Sequence, residues 1–233
     1  MDWKLVGTVL LLAASASAQS KGVVSIAFDD GFQSAYNNGM PIINVAGIKA
    51  TEFIITDSIG KPGYITLDEL RALASQGHEI GAHTKTHPRL SNLSPARQYN
   101  EIVGSVKQLQ KWGFNPKLFA YPYGDYNSET LDILTGLGMP ARTTYVGEND
   151  RNSPSLLLKC IPVDSKTTVG QLNQEIDQTE SDGAWLVILF HRIDEGNEIS
   201  FSHEGLQAVI NHLIERQTRV VTMSEALSLE SAQ

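Results

Sequence analysis

Two neighbouring carboxylates end the first apolar segment of the chain. Val23–Phe28 is apolar apart from one serine and predicts a buried strand, and Asp29 and Asp30 follow it directly, before Gly31. Charged side chains are rarely buried without a partner, so two acids at the tip of a buried strand need a cation, hydrogen-bond donors or open water. The sequence therefore marks this strand end as a candidate site. Capping of the following helix is a credible alternative for one of the two acids, but not for both.

Two histidines four residues apart, His83 and His87, offer the other half of a metal site. One carboxylate oxygen and two imidazole nitrogens suit zinc with an open coordination position. In that arrangement Asp30 would bind the ion, and Asp29 would remain free as a general base toward a water molecule that the ion acidifies. A lone histidine is more often a structural hydrogen-bonding group, but two of them paired with a strand-end acid favour the metal site.

A third histidine ends the most apolar predicted strand. His191 follows Leu189 and Phe190 and is a candidate general acid for a leaving amine. Leu189 and Trp185, on the same strand, are candidates for the lining of a small apolar pocket that accepts an acyl methyl group.

An aromatic turn, Phe119-Ala-Tyr-Pro-Tyr-Gly124, follows another predicted strand. Aromatic side chains supply flat faces for sugar rings together with a polar tip. We expect Tyr121 and Tyr123 to line a groove, whereas ordinary core packing is the better interpretation for Phe119.

Apolar strand-like segments alternate with helical patterns along the chain, which predicts an α/β fold with a parallel sheet covered by helices. At least seven such steps favour a barrel, in which reactive groups gather at the C-terminal ends of the strands. The predicted strands are Val23–Phe28, Ala50–Ile55, His78–His83, Lys117–Tyr121, Ala141–Tyr145, Leu156–Val163, Ala184–Phe190 and Arg219–Met223. The predicted helices are Ser34–Ala46, Thr66–Gln76, Ser94–Trp112, Ser128–Leu137, Val169–Thr179, Ser202–Gln217 and Ser224–Leu229.

The composition of the chain bounds its size class and argues against polyanionic binding partners. With 233 residues and 41% hydrophobic content, the chain suffices for one substantial core. Its net charge of −8 argues against nucleic acid or an anionic membrane as the main partner, because phosphate binding needs clusters of Lys and Arg. Cys160 is the single cysteine, so no intrachain disulfide can form, and we interpret it as a small buried side chain.

The first 18 residues have the pattern of a secretory signal. A weakly basic start is followed by an apolar run and by Ala16-Ser-Ala18, which matches a cleavage site of the A-x-A type. We therefore predict a signal peptide over residues 1–18 and one domain over residues 19–233, secreted to the extracellular space or the cell envelope and free of the membrane in its mature form. An uncleaved anchor is the alternative.

Taken in order, four motifs resemble those of the NodB-homology polysaccharide deacetylases, carbohydrate esterase family four. They are Phe28-Asp-Asp-Gly31, His83-Thr-Lys-Thr-His87, Tyr121-Pro-Tyr-Gly124 and Leu189-Phe-His191. The resemblance covers nearly all of the mature chain. It implies a distorted (β/α) barrel of seven to eight strands, NodB-like, with a divalent metal that is usually zinc and for which cobalt can substitute.

The same resemblance implies a reaction and a role for each site residue. The reaction is hydrolysis of an N-acetyl group on an amino sugar of an acetylated glycan, which releases acetate and a free amine. The implied roles are Asp29 as base, Asp30, His83 and His87 as metal ligands, His191 as acid, and the backbone N–H of Tyr123 as an oxyanion donor.

Two departures from the family pattern concern supporting residues. The family's arginine that tethers the base is replaced by Ala120, and Arg142 on the next predicted strand is the candidate substitute. The family's acid that orients the catalytic histidine has no clear counterpart; Asp164 is the best candidate, although a surface turn acid is an equally good interpretation.

The predicted substrate is a GlcNAc-containing glycan, such as chitin oligomers, peptidoglycan or an exopolysaccharide. Three alternatives remain open at this stage: an O-acetyl esterase acting on xylan, an enzyme that opens a small cyclic amide, and a non-catalytic glycan-binding module on the same fold. Because binding alone does not require a base and an acid, the presence of Asp29 and His191 argues against the last of these.

Overall fold

Seven parallel strands close into a barrel in the computed structural model, which describes residues 22–230. The strands are β1 Val23–Asp30, β2 Thr51–Ile54, β3 Glu79–Ala82, β4 Phe119–Ala120, β5 Ala141–Val146, β6 Leu158–Pro162 and β7 Trp185–Phe190. Each pairs with the next, and β1 pairs with β7 as well as β2, which closes the ring. The predicted barrel is therefore confirmed.

The barrel is distorted by further short strands. After β7 come β8 Arg192–Ile193 and β9 Ser200–Phe201, which pair with each other, and then β10 Arg219–Val220. β10 pairs with the first two residues of β1, whereas β2 pairs only with its last four, Ala27–Asp30. The short strand β10 thus pairs with two of the four β1 residues that β2 does not reach. The sequence pattern did not predict β8 and β9.

Helices cover the outside of the barrel. They are α1 Met40–Val45, α2 Leu67–Ser75, α3 Pro95–Lys111, α4 Ser128–Leu137, α5 Val169–Asp182, α6 His203–Arg216 and α7 Met223–Glu230. The segment predicted as one helix from Ser34 to Ala46 is divided, because a π-helical turn, Ala35–Gly39, precedes α1. The boundaries of α4 match the prediction, and Gly138 ends that helix in the left-handed conformation.

Alternation along the strands divides the apolar side chains into two cores. On β1, Ile26 and Phe28 face the helices, whereas Val23 and Ala27 face the barrel interior. The interior core also contains Phe53, and α7 contributes to it from the end where β1 begins. The same alternation turns Asp29, two residues after Ala27, towards the axis of the barrel.

The predicted signal peptide lies outside the described residues. Within residues 22–230, no helix is both long enough and apolar enough to cross a membrane.

Candidate active site

The carboxyl ends of β1 and β3 bring an acid and two histidines together. Asp30 Oδ1 lies 3.4 Å from Nε2 of His83 and 3.3 Å from Nε2 of His87. The three side chains form a cluster whose ligand atoms all lie within 4.8 Å of one another. Asp30 Oδ1 is buried and has no hydrogen-bond partner in the described part of the chain. A buried carboxylate oxygen without a donor fits a site that binds a cation.

A backbone contact fixes the orientation of His83. Its Nδ1 lies 2.7 Å from the carbonyl oxygen of Ala120, which can only accept, so Nδ1 donates. The lone pair of the neutral ring is then on Nε2, the nitrogen that faces Asp30. Metal-binding histidines commonly use the second ring nitrogen in this way, since the hydrogen bond sets both tautomer and ring orientation.

The surroundings shift the pKa values of the three groups in different directions. Burial and the nearby His83 lower the pKa of His87 to about 4, so its ring is neutral at pH 7. Burial acts to raise the pKa of Asp30, but the two imidazoles outweigh it and hold the pKa below its usual value. For His83, burial lowers the pKa, and the charges of Asp29 and Asp30 reverse that effect and raise it. The donor set fits a divalent ion such as zinc, with an open coordination position.

Strained backbone concentrates at the same place. Asp30, Thr84, His87 and Tyr123 adopt positive φ angles of 75°, 64°, 62° and 59°. Non-glycine residues rarely occupy this region, and such strain persists only where the surrounding structure enforces it. The two loops after β3 and β4 therefore hold their side chains in set directions around the cluster.

The adjacent acid, Asp29, has a different partner. Arg142 on β5 is fully buried, and its Nη2 lies 2.7 and 2.5 Å from the two carboxylate oxygens of Asp29. Nη1 of the same guanidinium donates to the carbonyl oxygen of Thr143 and lies 3.7 Å from Sγ of Cys160. The predicted substitute for the family's arginine is thus placed on Asp29, and Cys160 is buried beside it.

His191 reaches the same strand-end cluster from β7. Its charge interacts with those of Asp29, Asp30 and Arg142. Burial lowers its pKa, although the two acids act to raise it. Its Nδ1 is buried and has no hydrogen-bond partner among residues 22–230.

The prediction that Asp164 orients His191 is wrong in this structure. Asp164 Oδ1 accepts hydrogen bonds from the backbone N–H groups of Lys166 and Thr167 and from the Thr167 hydroxyl. Asp164 therefore stabilises its own turn after β6, which agrees with its alternative interpretation as a surface turn acid.

The structure separates the two tyrosines expected to line a groove. Tyr123 is 53% exposed, and its ring lies 4.5 Å from that of His87 between centroids. Tyr121 is only 1% exposed, and its hydroxyl donates to the carbonyl oxygen of Leu156, so the prediction for Tyr121 is wrong. Alternation explains the burial of Tyr121, because Ala120 faces the barrel interior and the next residue must face the helices. Tyr123 lies beyond the strand, in the turn Pro122–Gly124, where alternation no longer applies.

The two residues proposed for an acyl pocket also occupy different places. Leu189 pairs in register with Ala27 and lies inside the barrel, one layer below Asp29. Trp185 pairs with Val23 at the opposite end of the strands, where its indole N–H donates to Ser25. Trp185 therefore cannot line a pocket at the strand ends.

One cation beside the cluster, Arg89, was not predicted from the sequence. The guanidinium of Arg89 lies over the ring of Tyr123, with its carbon 4.5 Å from the ring centroid. In the sequence, Arg89 stands out only because it lies two residues after His87. This position does not show that its side chain contacts Tyr123.

This geometry is typical of hydrolases that activate water beside a divalent ion. The chain belongs to the polysaccharide deacetylase family, whose model matches residues 16–141. That family, carbohydrate esterase family four, is metal-dependent.

Individual relatives agree with the family assignment. The chain is 34% identical over 120 residues to YxkH of Bacillus subtilis, a protein named for the same family, covering 51% of this chain and 43% of the relative. It is 26% identical over 206 residues to the peptidoglycan-N-acetylglucosamine deacetylase of Bacillus cereus, covering 88% of each. Among solved structures, the Streptococcus pyogenes deacetylase PplD in complex with acetate superposes with a TM-score of 0.63 at 31% identity, covering 66% of this chain and 70% of that one. The chain thus spans less than half the length of YxkH.

Proposed function

We propose that the protein is a secreted, zinc-dependent hydrolase that removes N-acetyl groups from a GlcNAc-containing glycan. The relative from Bacillus cereus, named for peptidoglycan N-acetylglucosamine, supports this choice of substrate. The predicted signal peptide supports export to the cell envelope or beyond, where such glycans lie.

One observation carries the proposal. Two adjacent carboxylates have separate partners: Asp30 faces two imidazoles, and Asp29 is held by Arg142. A site that only bound an ion would have no use for a second acid kept off the ligand set by its own buried guanidinium. A hydrolase needs such an acid, because the attacking water must lose a proton.

The residues of this chain divide the reaction among them. A divalent ion held by Asp30, His83 and His87 would supply Lewis-acid polarisation and lower the pKa of water. Asp29, oriented by Arg142, accepts the proton of the attacking water. The backbone N–H of Tyr123 stabilises the negative charge that develops on the acetyl oxygen.

His191 completes the reaction on the leaving side. It donates a proton to the amine nitrogen as the C–N bond breaks. Leu189, one layer below Asp29, forms the apolar floor beneath the acetyl methyl group.

Acetate release tests the proposal. The purified protein, loaded with zinc or cobalt, is incubated with acetylated chitooligosaccharides, peptidoglycan fragments and acetylated xylan, and free acetate is measured. We expect release from the GlcNAc-containing substrates and a loss of at least about 100-fold in Asp29→Asn, the range of general-base contributions. Circular dichroism of the variant controls for folding.

The alternatives predict different outcomes. Acetate from acetylated xylan alone would replace the N-deacetylase by an O-acetyl esterase. Glycan binding without acetate release under either metal would favour a binding module and overturn the proposal.

A further inference from the structure

Arg89 is a charged group next to the candidate active site that the proposed reaction does not use. It is exposed, and it makes no ion pair with any acid in the described chain. The acid on the loop that carries Tyr123 is Asp125, and its carboxylate instead accepts hydrogen bonds from the backbone and hydroxyl of Ser91. An uncompensated guanidinium on a protein of net charge −8 is therefore available to a ligand.

The contact with Tyr123 places this guanidinium beside the candidate metal ligands. Its carbon lies 4.5 Å from the centroid of the Tyr123 ring, which in turn lies 4.5 Å from that of His87. A ring contact of this kind uses none of the N–H donors of a guanidinium, so they remain available to a ligand. Those donors match the two oxygens of a carboxylate, which an ammonium group cannot do in the same geometry. Arg89 thus contacts Tyr123, which contacts the candidate metal ligand His87. Its N–H donors can bind a carboxylate close to the metal site.

Two further cations near the strand ends, Arg192 and Lys85, contrast with Arg89. Arg192, directly after His191, stacks on Phe32 with its guanidinium carbon 3.6 Å from the ring centroid, but it is paired with Glu195. Lys85, on the same loop as His87, lies 3.9 Å from Asp57. Both of these cations have an acid of the protein as partner, whereas Arg89 has none in residues 22–230.

We propose that Arg89 binds a carboxylate on the sugar next to the one that loses its acetyl group, so that the preferred substrate is an anionic glycan. The inference rests on the proposed deacetylase function and adds to it the charge of the neighbouring sugar. A neutral chitin-type oligomer offers no partner to this guanidinium, whereas a glycan whose alternate sugars carry a carboxylate places one near each acetamido group.

A matched pair of substrates tests this inference. The first is a GlcNAc-containing oligosaccharide whose adjacent sugar carries a carboxylate, and the second is the same oligosaccharide with that carboxyl group converted to the amide. For the zinc-loaded protein we expect kcat/KM for acetate release to be roughly three- to tenfold higher on the carboxylate form, the range of an exposed but well-oriented ion pair. The preference should become smaller in about 0.5 M salt, because salt screens the attraction between exposed charges.

The ratio of the two rates is the readout, because a change at Tyr123 would slow both substrates equally. In Arg89→Gln the ratio should fall to about one, and Arg89→Lys should keep part of it. Arg151→Gln is the matched control. It removes the same charge from an exposed turn near Asn149, which pairs with Trp185 at the opposite end of the barrel, and it should keep the full ratio.

Two results would overturn the inference: an equal rate on both substrates by the unaltered protein, or a preference that persists in Arg89→Gln. If neither substrate releases acetate, the result would instead count against the proposed function. In that event, calorimetric titration of the zinc-loaded protein with the same two glycans still decides the inference, since equal affinities would overturn it and a preference that depends on Arg89 would support it.

Discussion

Nη2 of Arg142 lies 2.7 and 2.5 Å from the two oxygens of Asp29, and both side chains are almost completely buried. The contact joins residues 113 positions apart in the sequence. Burial acts to lower the pKa of Arg142, but the charge of Asp29 outweighs it and raises the pKa, so the guanidinium stays charged. The two charges therefore compensate each other inside the barrel.

Removing one member of this pair should destabilise the protein more than removing both. We expect Arg142→Met to lower the free energy of unfolding by about 3–5 kcal/mol, because it leaves the carboxylate of Asp29 buried without a counter-ion. The double variant Asp29→Asn with Arg142→Met should recover most of that loss without recovering activity. Urea denaturation of the metal-free proteins measures both changes. Equal losses in the single and double variants would show that the pair is not coupled.

A glycine on β3 sets the position of the ring beneath Arg142. A Cβ atom at Gly81 would lie 2.6 Å from two ring carbons of Phe53, whose centroid is 5.3 Å from the guanidinium carbon of Arg142. We expect Gly81→Ala to cost about 1–3 kcal/mol and to lower kcat, since the Phe53 ring, which Arg142 contacts, must shift. Gly136→Ala on α4 is the control. Its Cβ meets no atom within 4 Å, so the variant should be neutral or slightly more stable. Unaltered stability of Gly81→Ala would contradict this account.

Glu52 on β2 should make the protein less stable at alkaline pH. Its Oε1 is buried and has no hydrogen-bond partner in the described residues, and burial, with the charge of Asp29, raises its pKa to about 8. The contribution of this group to stability is present below pH 4.5 and is lost as the pH rises towards 8, because only the unfolded chain ionises freely. Glu52→Gln should therefore resemble the unaltered protein at pH 5 and exceed it by about 2–4 kcal/mol at pH 9. A difference that does not vary with pH would refute this.

His78 should have the opposite effect at acid pH. Its Nδ1 accepts a hydrogen bond from the backbone N–H of Ala50, so Nε2 donates to Asn44, and burial followed by the charge of Lys49 lowers the pKa to about 4. The neutral ring stabilises the fold above pH 6.5, and this stability is lost as the pH falls towards 4. Relative to His78→Gln, the unaltered protein should lose about 2–3 kcal/mol between pH 7 and pH 4, measured by denaturation at each pH. Parallel curves for the two proteins would contradict the prediction.

Zinc uptake should displace a proton from one histidine and not from the other. The raised pKa of His83 keeps its ring charged at pH 6 in the metal-free protein, whereas the pKa of about 4 leaves His87 neutral. We expect release of about one proton per zinc bound at pH 6, since ligands must be deprotonated. Calorimetry in two buffers of different ionisation enthalpy measures it. Asp30→Ala should bind no zinc, and release of two protons by the unaltered protein would contradict the assignment.

Local patterns determined the elements and the places of the reactive groups. Apolar segments fixed β1 and β7, and the acids and the histidine that follow them were recognisable because a charged group cannot continue a buried strand. The limits of α4 followed from its asparagine cap and its terminal glycine, which act within a few residues.

Hydrophobic periodicity could not predict side-chain directions in elements that are too short to show a repeat. β4 has only two residues, and the inward position of Ala120 decides that Tyr121 faces the helices. Asp164 satisfies its carboxylate within its own turn, a local hydrogen-bond preference that competes with any distant partner.

The sequence by itself determined the barrel, the strand-end acids and the pair of histidines, because strand formation and hydrophobic burial depend on neighbouring residues. Only the tertiary structure decided that Arg142 holds Asp29 and that Arg89 lies over Tyr123. Such contacts depend on the register of strands and on loops that meet in space, and a one-dimensional pattern contains neither.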